Sequence, residues 1–147
     1  MRIIVCIKQI IDPETPAVAF KIDPEAKRAT LPPGRKLVIN DYDEVAVEAA
    51  LRIKDTHGGE ITVLSLGEES ANDALRHCMA MGADEGVLLR DSQFNDADSF
   101  ATAQALAQAI KKLGDFDLVL CGRQEGDWDA GQVGSGIAEF LNIPCVT

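Results

Sequence analysis

Residues 117–141 read DLVLCGRQEGDWDAGQVGSGIAEFL, and the rest of the 147-residue chain is organised around them. Residues 117–121 have the length and apolar character of a buried strand, a loop of glycine, acid and amide residues follows, and a helix is expected from near Ala130. Gly131, Gly134 and Gly136 fall at that helix start, where each glycine within a helix costs about 1 kcal/mol relative to alanine. Their presence asks for a compensating role. Strand, polar glycine loop and glycine-bearing helix start together describe a place where backbone N–H groups meet an anion at the positive end of a helix.

Upstream, strand-like and helical runs alternate. Residues 2–7 (RIIVCI) form a continuous β-branched run, as expected of a strand buried on both faces of a parallel sheet. Residues 8–39 hold five of the six prolines and the alternating Val18, Phe20, Ile22, then a charged turn and 29–31; this predicts a β-hairpin excursion that covers a ligand or meets a partner. A helix is expected over 40–56, capped by Asn40, ended by Gly58 and Gly59, with Tyr42, Val45, Ala46, Ala49 and Ile53 on its inner face. Strand 60–66, helix 69–81 with Ala71, Ala74, Leu75 and Cys78 inward, strand 87–90 and a helix from an Asp98 cap to Leu113 follow. Residues 143–147 read as the start of a fifth strand that continues in a longer protein.

This alternation predicts one α/β domain over 1–147, a doubly wound, mainly parallel five-stranded sheet of order 3-2-1-4-5. In such sheets ligands bind outside the carboxyl ends of the strands where the order reverses, here between the first and fourth strands. Residues 6–8, 40–43 and 122–134 are thereby gathered around one crevice.

The chemistry is bounded by what is missing. Twenty-four acidic against 14 basic residues give a net charge of −10, with no basic run longer than a pair, which argues against nucleic acid and anionic membrane surfaces as partners. No segment reads as a membrane span or signal peptide, and a cytoplasmic location is expected. Cys6, Cys78, Cys121 and Cys145 form no C-x-x-C pair and read as reduced structural thiols; His57 and His77 lie on helices away from the glycine loop. No metal site and no catalytic residue is expected. The loop lacks the lysine of a P-loop, and no G-x-G-x-x-G follows the first strand. Asp127 and Asp129 read as a helix cap and an acceptor for ribose rather than an acid/base pair, and Trp128 as packing against the neighbouring helix rather than stacking on a ligand.

The segments VCIKQIIDP, INDYDEVAVEAALRIKD, ITVLSLG, ALRHCMAMGADEGVLL and DFDLVLCGRQEGDWDAGQVG closely resemble, in this order, the β subunit of electron-transfer flavoproteins. The resemblance covers nearly the whole chain and stops short of that family's later strands and C-terminal segment. It implies a Rossmann-like domain of an electron-carrier subunit without chemistry of its own, paired with an α subunit that holds most of the redox FAD. Electrons would come from flavoprotein dehydrogenases such as acyl-CoA dehydrogenases. The β subunit would bury AMP or, in flavin-bifurcating members, a second FAD.

Carried over by position, the nucleotide contacts fall on Cys6, on Asn40, Asp41, Tyr42 and Asp43, and on Leu66. In the loop they fall on Gly122, Arg123, Gln124, Asp127, Asp129, Ala130, Gly131, Gln132, Val133, Gly134 and Ser135. The loop backbone and helix start would hold phosphate, with Cys6, Leu66 and the Asn40 region around adenosine. Val133 departs from the threonine of many AMP-binding members, and Glu-Gly-Asp-Trp-Asp-Ala departs from the Ala-Ile-Asp-Gly-Asp-Thr loop of bifurcating ones. The occupant stays open between AMP and FAD, with a lean to AMP because Trp128 would narrow the crevice. A stand-alone nucleotide-binding module resembling universal stress proteins is the alternative; its G-x2-G-x9-G-[ST] spacing does not match, since Gly126 precedes Gly134-Ser135 by too little.

Overall fold

The fold is that of a computed structural model, which describes residues 1–147 except 26, 32 and 95. In chain order, β1 (Arg2–Ile7) leads into the short β2 (Gln9–Ile11), β3 (Lys21–Asp23), β4 (Arg28–Thr30) and β5 (Leu37–Ile39). Then come α1 (Asp41–His57), β6 (Glu60–Leu66), α2 (Asn72–Met81), β7 (Glu85–Leu89), α3 (Ser99–Leu113), β8 (Leu118–Cys121) and α4 (Val133–Leu141). The central sheet has the order β7-β6-β1-β8 with every pair parallel. Its four strands stand in the expected 3-2-1-4 order.

Strand alternation divides the core into two layers. Ile3, Val5 and Ile7 of β1 pack with Ile61 and Val63 against Val47 and Ala50 of α1 and Leu75 and Cys78 of α2. Ile4 and Cys6 point the other way, with Leu64, onto Leu106 and Ile110 of α3 and Ile137 of α4. Because β1 is the middle strand, almost its whole side-chain set is buried, which is why it reads as an unbroken apolar run.

Four local readings are corrected. Residues 143–147 form no strand: the Ile143 N–H turns back to the Ala138 carbonyl at 3.1 Å and Pro144 has no N–H to give a ladder. The last helix starts at Val133, not near Ala130, because Asp129 and Gly131 stand at φ +57° and +60°, outside helical space. The inner face of α1 is Asp43, Ala46, Val47 and Ala50, so Val45 is exposed; the helix is turned by about one residue to bring Asp43 inside. Asn40 precedes α1 but makes no side-chain cap, since its amide is used elsewhere.

The excursion is more elaborate than one hairpin. β3 and β4 pair antiparallel as expected, while β2 and β5 pair antiparallel at its base and return the chain to α1. The expected charged turn between β3 and β4 includes residue 26, outside the described residues. Asp98 caps α3 as predicted, its carboxylate accepting the Ala101 N–H at 2.8 Å. Among the described residues no helix is long and apolar enough to cross a membrane.

Candidate functional site

At the carboxyl ends of β1 and β8 lies a cleft lined by Cys6, Ile7, Leu66, Leu106, Cys121 and Val133. Its position is the predicted reversal of strand order, because the chain runs outward from β1 through β6 to β7 and then crosses to β8 on the other side. A second, larger groove adjoins it along Gly67, Phe94, Ser99 and Trp128, sharing Lys8, Leu66, Thr102, Glu125 and Val133 with the cleft.

Two buried polar side chains at the start of α1 tie the strand ends and the glycine loop together. Asp43 accepts the Lys8 N–H on Oδ2 at 2.9 Å and the Gly122 N–H on Oδ1 at 3.0 Å, tying together the two strand ends. Only glycine allows this approach, since a Cβ on residue 122 would lie 2.2 Å from Asp43 Oδ1. Burial pushes the Asp43 carboxyl up to about 6, against the opposing pull of the Lys8 N–H, the Asn40 side chain and the Gly122 N–H. Asn40, 1% exposed, donates from Nδ2 to the Gln124 carbonyl and accepts the Gly126 N–H on Oδ1, both at 3.0 Å. An amide offers one donor and one acceptor to a loop that needs both, and this explains why Asn40 is not spent on capping.

The loop closes on itself. Gln124 donates from Nε2 to Asp129 and, at 3.3 Å, to the Tyr42 hydroxyl. The Lys8 ammonium sits on Asp127 at 2.9 and 3.2 Å. Glu125 Oε2 accepts the N–H groups of Ala130 and Gly131 at 2.9 and 3.0 Å. Burial alone would raise the Glu125 carboxyl, but these two N–H bonds and the nearby Lys8 charge carry it below the usual glutamate range. The Cys6 thiol, facing Cys121 across the β1–β8 ladder, is raised by its hydrogen bond to that thiol and by burial, and stays protonated.

Of the residues singled out from sequence, Cys6, Asp43, Leu66, Gly122, Gln124, Gly131, Val133 and Gly134 line the cleft, and Ala130 lines the adjoining groove. Asn40, Tyr42, Asp127 and Asp129 brace the loop through the contacts above. Asp41 instead lines a different groove, with Glu14, Glu44 and His77, and Arg123, Gln132 and Ser135 line neither the cleft nor its continuation. Trp128 is corrected: it is 80% exposed at the lip of the groove, so it is not packed into a neighbouring helix and does not narrow the cleft. Gly136 serves packing, since a Cβ there would meet the Ala103 Cβ at 2.7 Å. Thr102 and Leu106 are additions that no motif marks, because on sequence alone they belong to an ordinary inward helix face.

The electron transfer flavoprotein domain matches residues 33–147, which include Asn40, Asp43, Leu66 and the whole glycine loop. The chain belongs to the electron transfer flavoprotein family. It is 48% identical over its full length to an electron transfer flavoprotein subunit beta from Thermoanaerobacterium thermosaccharolyticum, covering 54% of that protein. It is 48% identical over 148 aligned residues to the caffeyl-CoA reductase-Etf complex subunit CarD of Acetobacterium woodii, covering all of this chain and 55% of that one. It is 45% identical over 149 aligned residues to the acryloyl-CoA reductase electron transfer subunit gamma of Anaerotignum propionicum, again over the whole chain and 54% of the relative. The chain thus spans about half the length of these relatives. In this electron transfer flavoprotein domain, the cleft combines apolar side chains with the glycine-bearing start of α4.

Proposed function

We propose that this chain is part of the β subunit of an electron-transfer flavoprotein heterodimer, an electron-carrier component whose cleft holds an adenine nucleotide. The observation that carries the reading is the coincidence of the family match with the residues that build the cleft: Asn40, Asp43, Leu66 and the loop before α4 all lie within it. In this reading Leu66, Leu106 and Val133 sandwich the base, Asp43 fixes the two strand ends, and the N–H groups leading into α4 face the phosphate. AMP is the first candidate and acts as a structural group. Redox chemistry belongs to FAD held mainly by an α subunit and reduced by flavoprotein dehydrogenases, of which acyl-CoA dehydrogenases are the expected kind. The names of the caffeyl-CoA and acryloyl-CoA reductase relatives support a partner of that class. No side chain of the cleft is assigned a chemical step, and the protein is proposed to act in the cytoplasm.

A second FAD in place of AMP is favoured by one observation. The larger groove adjoins the cleft and shares five lining residues with it, and Trp128 at its lip is exposed, an arrangement that suits a ligand longer than a mononucleotide. Co-expression with an α subunit should yield a yellow heterodimer, and mass spectrometry of the denatured complex should release AMP, or FAD beyond one equivalent. A colourless homo-oligomer that hydrolyses ATP would overturn the carrier reading.

A further inference from the structure

The positive elements at the mouth of the cleft are already engaged by the chain's own carboxylates. Asp127 holds the Lys8 ammonium, and a single oxygen of Glu125 bridges the N–H groups of Ala130 and Gly131. One oxygen across two neighbouring amides, in a loop whose Asp129 and Gly131 adopt positive φ, is the manner in which a backbone nest takes an oxyanion. Glu125 also lines both the cleft and its continuation, so a phosphate that reached these N–H groups would meet its carboxylate. Arg123, the one other cation of the loop, is exposed and lines neither.

We infer that Glu125 is an internal competitor for the nucleotide phosphate, a specificity-determining residue that lowers the affinity contributed by a phosphate and leaves the affinity for the nucleoside untouched. This rests on the reading of the cleft as an adenine-nucleotide site. A phosphate entering there has two routes: it displaces the carboxylate from Ala130 and Gly131, or it binds beside an anion whose charge opposes its own. Both tax the phosphate and neither touches the base. A merely structural Glu125, holding the loop in shape, would instead support base and phosphate alike.

The test is titration calorimetry of adenosine and AMP with the full-length protein freed of endogenous nucleotide. For the natural sequence, AMP should bind less than about tenfold tighter than adenosine, since the phosphate's charge-assisted hydrogen bonds replace existing ones. In Glu125→Gln the ratio of AMP to adenosine affinity should rise by about tenfold or more, with adenosine affinity unchanged. Glu125→Ala, which removes the side chain altogether, should move the ratio in the same direction and keeps the test open if the glutamine variant misfolds. An unchanged or reduced ratio in both variants overturns the inference. Loss of adenosine and AMP binding together in a folded variant assigns Glu125 a structural role and overturns it too. Failure of the natural sequence to bind either ligand overturns the nucleotide reading, and the competitor with it.

Discussion

Asp43 shows at the scale of one side chain what burial does to a carboxylate. Its carboxylate is buried and serves two backbone N–H groups, and the cost of burial outweighs their help, leaving it at about 6 instead of 3.8. The folded value is above the unfolded one, so the native state holds the proton more tightly. Its contribution to stability is therefore fully present below about pH 4 and lost progressively as pH rises through 4 to 6, a loss of roughly 3 kcal/mol by pH 7. The amide resonances of Lys8 and Gly122 should titrate together with a midpoint near 6. Relative to Asp43→Asn, which cannot ionise, the natural protein should lose up to roughly 3 kcal/mol of urea-measured stability between pH 4 and 6.5. Parallel stability curves for the two proteins, with flat amide shifts, would show that the carboxyl is solvated and that the clamp is weak.

At the scale of elements, α3 and α4 meet through Gly136. Replacing it with alanine gains about 1 kcal/mol of helix propensity but forces a Cβ to 2.7 Å from that of Ala103, an overpacking that costs up to about 3 kcal/mol because neither methyl can rotate away. Gly136→Ala should therefore destabilise the protein by about 1–2 kcal/mol, and Ala103→Gly in the same chain should recover part of the loss. A stabilised single variant would mean the helices have slack at this crossing. The element boundaries explain what the sequence made legible. The Asp98 cap and the buried residues of α2 followed from periodicity and capping, which are local, and the strand order followed from the strand–helix alternation and the few topologies open to it. The start of α4, the face of α1 and the use of Asn40 did not, since each is decided by a specific polar contact that no periodicity marks: Glu125 with loop amides five and six residues on, Asp43 with two distant strand ends, and Asn40 with residues 84 and 86 positions away. The site was legible as a place, and its wiring was not.

Across the whole molecule, stability and the cleft both reside in the sheet and its four helices, and the excursion between β1 and α1 contributes to neither beyond its base. Val18 and Ile22 are 96% and 76% exposed, Phe20 is exposed as well, and none of them lines the cleft. Apolar side chains left in water supply no burial energy in the isolated protein, whereas Leu64, wholly buried between β6 and α3, supplies much. Changing Val18, Phe20 and Ile22 together to serine should shift stability by no more than about 1.5 kcal/mol, about 0.5 kcal/mol for each exposed substitution. That corresponds to a melting midpoint within about 5 °C for a chain of this size. Leu64→Ala, made beside it, should cost about 2–5 kcal/mol and lower the midpoint by roughly 10 °C. If the triple variant melted as early as the Leu64 variant, the excursion would have to fold back onto the domain in solution, and its apolar residues would belong to the core rather than to the surface.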